Sequence, residues 1–182
     1  MEAFNQFAQT PESVRTVGQI ATALETPGDE RPGPGKRLPV CDYLETALAV
    51  DTTHTVLRQL VTRFKDIEPM LEWRRSLNQG GFASQNFGDS HANAMIIGPG
   101  GVEGRKDIWL GVTLMAPHVR YPNHHHAPEE VYLVLSDGEF WQDGGSWFSP
   151  GIGGSLYNIP NITHAMRSID TPLLALWALR AH

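Results

Sequence analysis

Cysteine is nearly missing from this 182-residue chain. Cys41 stands alone, so no intrachain disulfide can form, and the usage fits a reducing compartment. Its side chain reads as a small buried hydrophobe. Basic charge is scarce as well: 14 Lys and Arg stand against 20 Asp and Glu, a net charge of −6. That balance offers no cationic face to a phosphate backbone or an anionic bilayer, so nucleic acid and membrane are excluded as expected partners. No apolar run reaches the roughly 18 residues of a membrane-spanning helix. The opening MEAFNQFAQTPESV lacks the basic head and apolar stretch of a secretory leader, and a soluble, cytoplasmic protein is expected. The glycine run Gly98 to Gly104 matches neither a dinucleotide fingerprint nor a phosphate loop, and no helix follows it, so it reads as a hairpin turn.

What is present divides the chain into two regions. With 41% apolar residues over this length, a single domain with a real core is expected. Residues 1–92 read as a helical N-terminal extension. Thr10-Pro11-Glu12 is a helix start, with threonine as N-cap, proline at the first helical position and an acid near the positive end of the dipole. Val14, Val17, Ile20, Ala21 and Leu24 follow helical spacing. Prolines and glycines then break the pattern between Thr26 and Pro39. Two further stripes, Tyr43-Leu44-Ala47-Leu48 and Val56-Leu57-Leu60-Val61-Phe64, predict a helical hairpin with Asp51-Thr52-Thr53 as cap of its second helix. A third helical piece over 68–75 carries Met70, Leu71 and Trp73 inward. The segment near Cys41 to Thr53 is expected to cover part of a pocket mouth, as lids do.

Residues 93–182 change character. Ala94 to Ile97, Ile108 to Met115, Val131 to Leu135, Glu139 to Gln142, Ser155 to Ile159, His164 to Ile169 and Leu173 to Leu179 read as strands separated by Gly, Asp and Pro turns. Short, regularly punctuated strands predict a mainly β sandwich or barrel.

Within that region the run Tyr121 to Tyr132, YPNHHHAPEEVY, concentrates more chemistry than any other. In an extended chain side chains alternate, so His124, His126, Glu130 and Tyr132 share one face, while His125, Glu129 and Val131 share the other. Pro128 is able to shift that register. Imidazoles and a carboxylate on one face suit one divalent transition metal, zinc or iron first, with manganese, cobalt or nickel also compatible. His164, in a separate strand-like run, supplies a fourth donor. Glu130 is read as a ligand, with the alternatives that it orients a histidine or acts as a base. His125 supports a ligand from behind or faces solvent, and no role is assigned to His91, His118 or His182. Trp141 and Trp177 are read as core, with pocket lining as the alternative. A phenol with an ordinary pKa near 10 is a poor base at neutral pH, but a neighbouring cation favours the phenolate and makes Tyr132 competent.

The pattern His124-x-His126-x3-Glu130 with Gly138, followed by Gly154-x5-Pro160-x3-His164, resembles the two motifs of the cupin superfamily. It departs from them at His118 and Ile162, where glycine is usual, at Ser168, where asparagine is usual, and in one extra residue between Glu130 and Gly138. The resemblance implies a double-stranded β-barrel, residues 93–182, with a metal held by His124, His126, Glu130 and His164. Tyr132, Tyr121 and the helical extension further resemble the dimethylsulfoniopropionate (DMSP) lyases of the DddQ type. That implies a small zwitterionic sulfonium substrate, cleaved to dimethyl sulfide and acrylate with Tyr132 as base and Tyr121 orienting or binding the substrate. The same ligand set also serves non-heme iron dioxygenases and cupins that bind a small ligand without turnover.

Overall fold

The computed structural model describes residues 1–31, 33–50, 52–77 and 80–181. Helix α1 spans Glu2–Phe7 and α2 spans Pro11–Ala23. The start of α2 is the expected one, reinforced by a reciprocal cap: Thr10 Oγ1 accepts from the Ser13 amide and Ser13 Oγ accepts from the Thr10 amide. Its buried face is rotated from the expected stripe. Ser13, Thr16, Val17 and Ile20 are buried while Val14 is 52% exposed. Arg15, next to Val14, donates to the buried Glu129 of the barrel at 2.8 Å, and Thr16 Oγ1 donates to the Glu12 carbonyl at 2.9 Å.

Within the proline-glycine stretch, strand β1 occupies Asp29–Glu30. A 3₁₀ turn at Pro39–Tyr43 leads into the short helix α3, Leu44–Ala47, and α4 follows over Thr55–Ile67. Asp51, part of the expected cap, lies outside the described residues, as does His182. The N-cap of α4 is His54, without a side-chain cap bond. The third helical piece is reduced to a 3₁₀ turn at Glu68–Met70, after which the chain extends into β2, Trp73–Arg74. Pairing of Trp73 with Ala94 on the next strand supplies backbone partners that a helix end would lack.

The remaining strands are β3 (His91–Ile97), β4 (Glu103–Gly104), β5 (Ile108–Met115), β6 (Glu130–Val134), β7 (Glu139–Gln142), β8 (Ser155–Asn158), β9 (His164–Arg167) and β10 (Leu173–Arg180). One sheet runs β1-β4-β3-β5-β10-β6-β8, with β2 also on β3, and a second pairs β7 with β9. Isolated bridges at Arg120↔Arg167 and His124↔His164 extend the second layer. The result is the mainly β, double-stranded barrel with a helical N-terminal part. Strands β1 and β2 come from residues 1–92, so that part is stitched into the sheet.

The helices explain why β6 and β10 read as unbroken apolar runs. Val131, Leu133, Val134, Leu135, Leu173, Leu174 and Ala175 are all fully buried. One face of these strands lines the barrel interior and the other is covered by α1, α2 and α3. Both faces are therefore dry, and alternation disappears.

The turn positions where this sequence departs from the cupin motifs have local explanations. His118 adopts φ 59°, the left-handed region that favours glycine but that histidine enters more readily than most residues. Asn161 takes φ 62° beside Ile162. Ser168 Oγ donates to the Ala116 carbonyl at 2.5 Å and accepts from the Val119 amide at 3.0 Å, tying that turn. The two motif glycines that remain are required by close approach: a Cβ at Gly138 would lie 2.0 Å from Leu173 Cδ1, and one at Gly154 would lie 2.1 Å from the Pro150 carbonyl oxygen.

Candidate metal centre

The site forms where the two sheets meet. Glu130 opens β6 in the large sheet, and His164 opens β9 in the small one. His124 joins them through its backbone, donating to and accepting from His164 at 3.0 and 2.9 Å. His126 sits in the irregular segment between, turned inward by Pro128, whose carbonyl accepts from its Nδ1 at 2.8 Å. His124, His126, Glu130 and Tyr132 line one cavity, as same-face residues of an extended run would, and the chain bends at Ala127-Pro128 between the histidines and Glu130.

All three histidines use Nδ1 in the same way. Each Nδ1 faces a carbonyl two residues away: Pro122 at 3.0 Å for His124, Pro128 for His126 and Ile162 at 3.0 Å for His164. A carbonyl only accepts, so Nδ1 carries the proton and Nε2 is left with a lone pair. The His126 and His164 Nε2 atoms each lie 3.3 Å from Glu130 Oε2. With neutral rings, lone pairs and a carboxylate face one another, an arrangement that either a proton on Nε2 or a metal cation would satisfy. His164 Nε2 is buried with no hydrogen-bond partner among the described residues. Nitrogen and oxygen donors converging in this way fit a divalent transition metal.

His126, Glu130 and His164 place their donor atoms within 4.8 Å of one another. His124 stands next to this trio, its ring centroid 4.1 Å from that of His164 and 6.3 Å from that of His126. Burial, then the neighbouring His164, lowers its pKa to about 4, so it stays neutral at physiological pH. Burial also acts to lower His126, but the hydrogen bond and charge of Glu130 outweigh it and raise the pKa above the ordinary value. Glu130 is held well below the usual carboxylate range by His126 and His164, against its own burial.

Tyr132 is 3% exposed, two residues beyond Glu130, and its ring centroid lies 6.5 Å from that of His164. Burial, followed by the charge of Glu130, pushes its phenol well above 10. Tyr121 is buried beside His124, ring centroids 4.9 Å apart, and its hydroxyl accepts from Asn93 Nδ2 at 3.0 Å. His125 is exposed. These residues open onto a cavity of about 360 Å³ whose wall also includes Trp109 and Trp177. Trp177 is thus a pocket residue, its Nε1 donating to Thr113 Oγ1 at 3.1 Å, and Trp141 is not. The mouth carries Glu72, Arg74, Pro99 and Gly100. Among the described residues of the segment near Cys41 to Thr53 none lines the cavity, contrary to the expected lid, and Val40, Cys41, Leu44, Ala47 and Leu48 are buried in the core.

Asn93, Thr113 and Asn158 went unnoticed in the sequence. Thr113 stands out as the lone polar side chain of IWLGVTLM, whereas Asn93 shares its strand with His91, and Asn158 shares its own with Ser155 and Tyr157.

A family model for DMSP lyases matches residues 12–175. The chain belongs to the DMSP lyase family. A curated relative in that activity class, DMSP lyase DddQ of Ruegeria pomeroyi, is 29% identical over 127 residues, covering 69% of this chain. The match spans 63% of that relative's length. The crystal structure of DddQ from Ruegeria pomeroyi DSS-3 superposes with a TM-score of 0.71 at 25% identity, over 90% of this chain and 83% of that one. A structure from work on the DMSP lyases RdDddP and RnDddQII gives 0.72 at 24%, over 90% and 84%, and shows the shared fold.

Proposed function

We propose that this protein cleaves DMSP to dimethyl sulfide and acrylate by β-elimination, with Tyr132 as the base. The observation that carries this reading is the placement of Tyr132: a buried phenol against Glu130, on the wall of the cavity that the histidines enter. Family membership supplies the substrate class. His126, Glu130 and His164, with His124 beside them, would hold the metal. A bound divalent cation supplies Lewis acidity toward the substrate carboxylate, acidifying the α C–H, and a positive field that favours the Tyr132 phenolate.

The protein's own groups push Tyr132 the wrong way for a base. Burial and Glu130 both hold it protonated, so proton abstraction is tied to a loaded site. In the reaction the phenolate takes the α proton, the freed electron pair forms the Cα=Cβ bond, and the Cβ–S pair leaves with neutral dimethyl sulfide. Tyr121, held neutral by burial and fixed by Asn93, orients the substrate. The tryptophan and tyrosine rings of the wall attract the sulfonium by roughly 0.5 to 2 kcal/mol. The test is dimethyl sulfide release by purified protein with and without chelator. Release that chelation abolishes and added metal restores is expected; undiminished release after exhaustive chelation contradicts the reading.

A further inference from the structure

We infer that Gln142 and Asn158 are positioning residues that fix the metal-binding oxygen of Glu130. The inference rests on the metal reading of the site and extends it to two amides that neither the motifs nor the ligand set include.

Asn158 is fully buried on β8, directly across from Glu130 on β6. Its Nδ2 donates to Glu130 Oε2 at 2.8 Å, the same oxygen that faces the His126 and His164 nitrogens. Asn158 Oδ1 in turn accepts from Gln142 Nε2 at 2.7 Å, and that nitrogen also donates to the Tyr157 carbonyl at 2.7 Å. Gln142 lies on β7, where its ladder partner is His164.

The polarity of this chain is not a matter of choice. A backbone carbonyl stands at one end and an ionised carboxylate at the other, and both only accept. Gln142 must therefore present its amino group to Tyr157 and Asn158, which leaves Asn158 its carbonyl for Gln142 and its amino group for Glu130. The carboxylate is held in one orientation from behind while its oxygen faces the imidazoles. Partners of this kind, which orient a ligand without touching the metal, typically change metal affinity by about 10- to 100-fold when removed.

Reversing the polarity gives a sharper test than deleting it. Gln142→Glu is nearly isosteric at a half-buried position but replaces the donor with acceptors. It favours a turned Asn158 amide that aims Oδ1 at Glu130. Gln142→Leu removes the constraint yet leaves Asn158 able to donate.

The experiment is titration of Co²⁺ into metal-free wild type, Asn158→Leu, Gln142→Leu, Gln142→Glu and Glu130→Gln, following the visible cobalt spectrum and the melting temperature. Wild type should bind one ion. Asn158→Leu should bind about 10- to 100-fold more weakly, and Gln142→Glu should bind more weakly than Gln142→Leu, with a shifted spectrum. If Asn158→Leu fails to fold, the two Gln142 variants carry the test. Wild-type affinity and spectrum in all folded amide variants, with binding lost in Glu130→Gln, overturns this inference and leaves the metal reading standing. Failure of wild type to bind Co²⁺ overturns both.

Discussion

Glu130 opens β6 and Glu129 directly precedes it, both nearly inaccessible at 3% and 8% exposure and both held below the ordinary carboxylate range. They end up on opposite faces of the chain with different work. Glu129 looks outward into the helical extension, accepting from Arg15 at 2.8 Å and from Tyr157 Oη at 2.5 Å. Its donors already carry protons. Glu130 looks inward at imidazole nitrogens whose own protons are spent on backbone carbonyls. Burial and a lowered pKa alone therefore do not mark a functional carboxylate. The marker is whether the surrounding groups satisfy the charge themselves or leave a cation to be supplied.

The widest separation between the two faces should come from Glu130→Gln. Removing the inner charge should abolish stoichiometric metal binding and bring dimethyl sulfide release to background, while the folded barrel survives in circular dichroism.

Tyr132→Phe comes next and divides the inner face itself. Loss of a general base typically costs about 10² to 10⁴ in rate, so release should fall by that factor while metal analysis still finds the ion. Exchange of the substrate α hydrogen with deuterated solvent should fall in parallel. Near-normal turnover would move proton abstraction to another group.

On the outer face, Glu129→Gln should leave metal content and turnover near wild type and act on stability alone. Loss of the charge-assisted bonds should cost about 1 to 3 kcal/mol in denaturant unfolding. The pH dependence follows from the direction of the shift. Burial raises the Glu129 pKa, but the bonds from Tyr157 and Arg15 bring it below 4.5 in the folded state. Its contribution is present above about pH 4.5 and is lost as pH falls through the lower folded value. Wild type should therefore lose its advantage over Glu129→Gln on acidification, and a constant difference across that range would contradict the assignment.

The smallest effect is expected at His125, which belongs to the same histidine run yet is exposed. His125→Ala should change neither metal stoichiometry nor turnover. A loss of metal there would show that the chain bends differently around Pro128.

Much of this site was legible before any coordinates. Strand and turn signals are strong because β5 and β7 are bounded by glycine, aspartate or proline, and the motif spacing singles out His126, Glu130 and His164, which cluster, and His124, which stands beside them. Three things were not legible. The rotation of α2 goes with Arg15 meeting Glu129, a contact across more than 110 residues that periodicity cannot register. The 68–75 segment looked helical because Leu71 and Trp73 are apolar, but pairing with β3 overrode that local preference. The amides behind Glu130 were invisible since each is an ordinary residue made special only by its neighbour across the sheet.

Whether the inner carboxylate, not its neighbour, completes a metal site is decided by calorimetric titration of Zn²⁺ into metal-free wild type, Glu129→Gln and Glu130→Gln. One ion per chain with matching affinity is expected for wild type and Glu129→Gln, and no such binding for Glu130→Gln. Equal Zn²⁺ affinity in wild type and Glu130→Gln would contradict that role for Glu130.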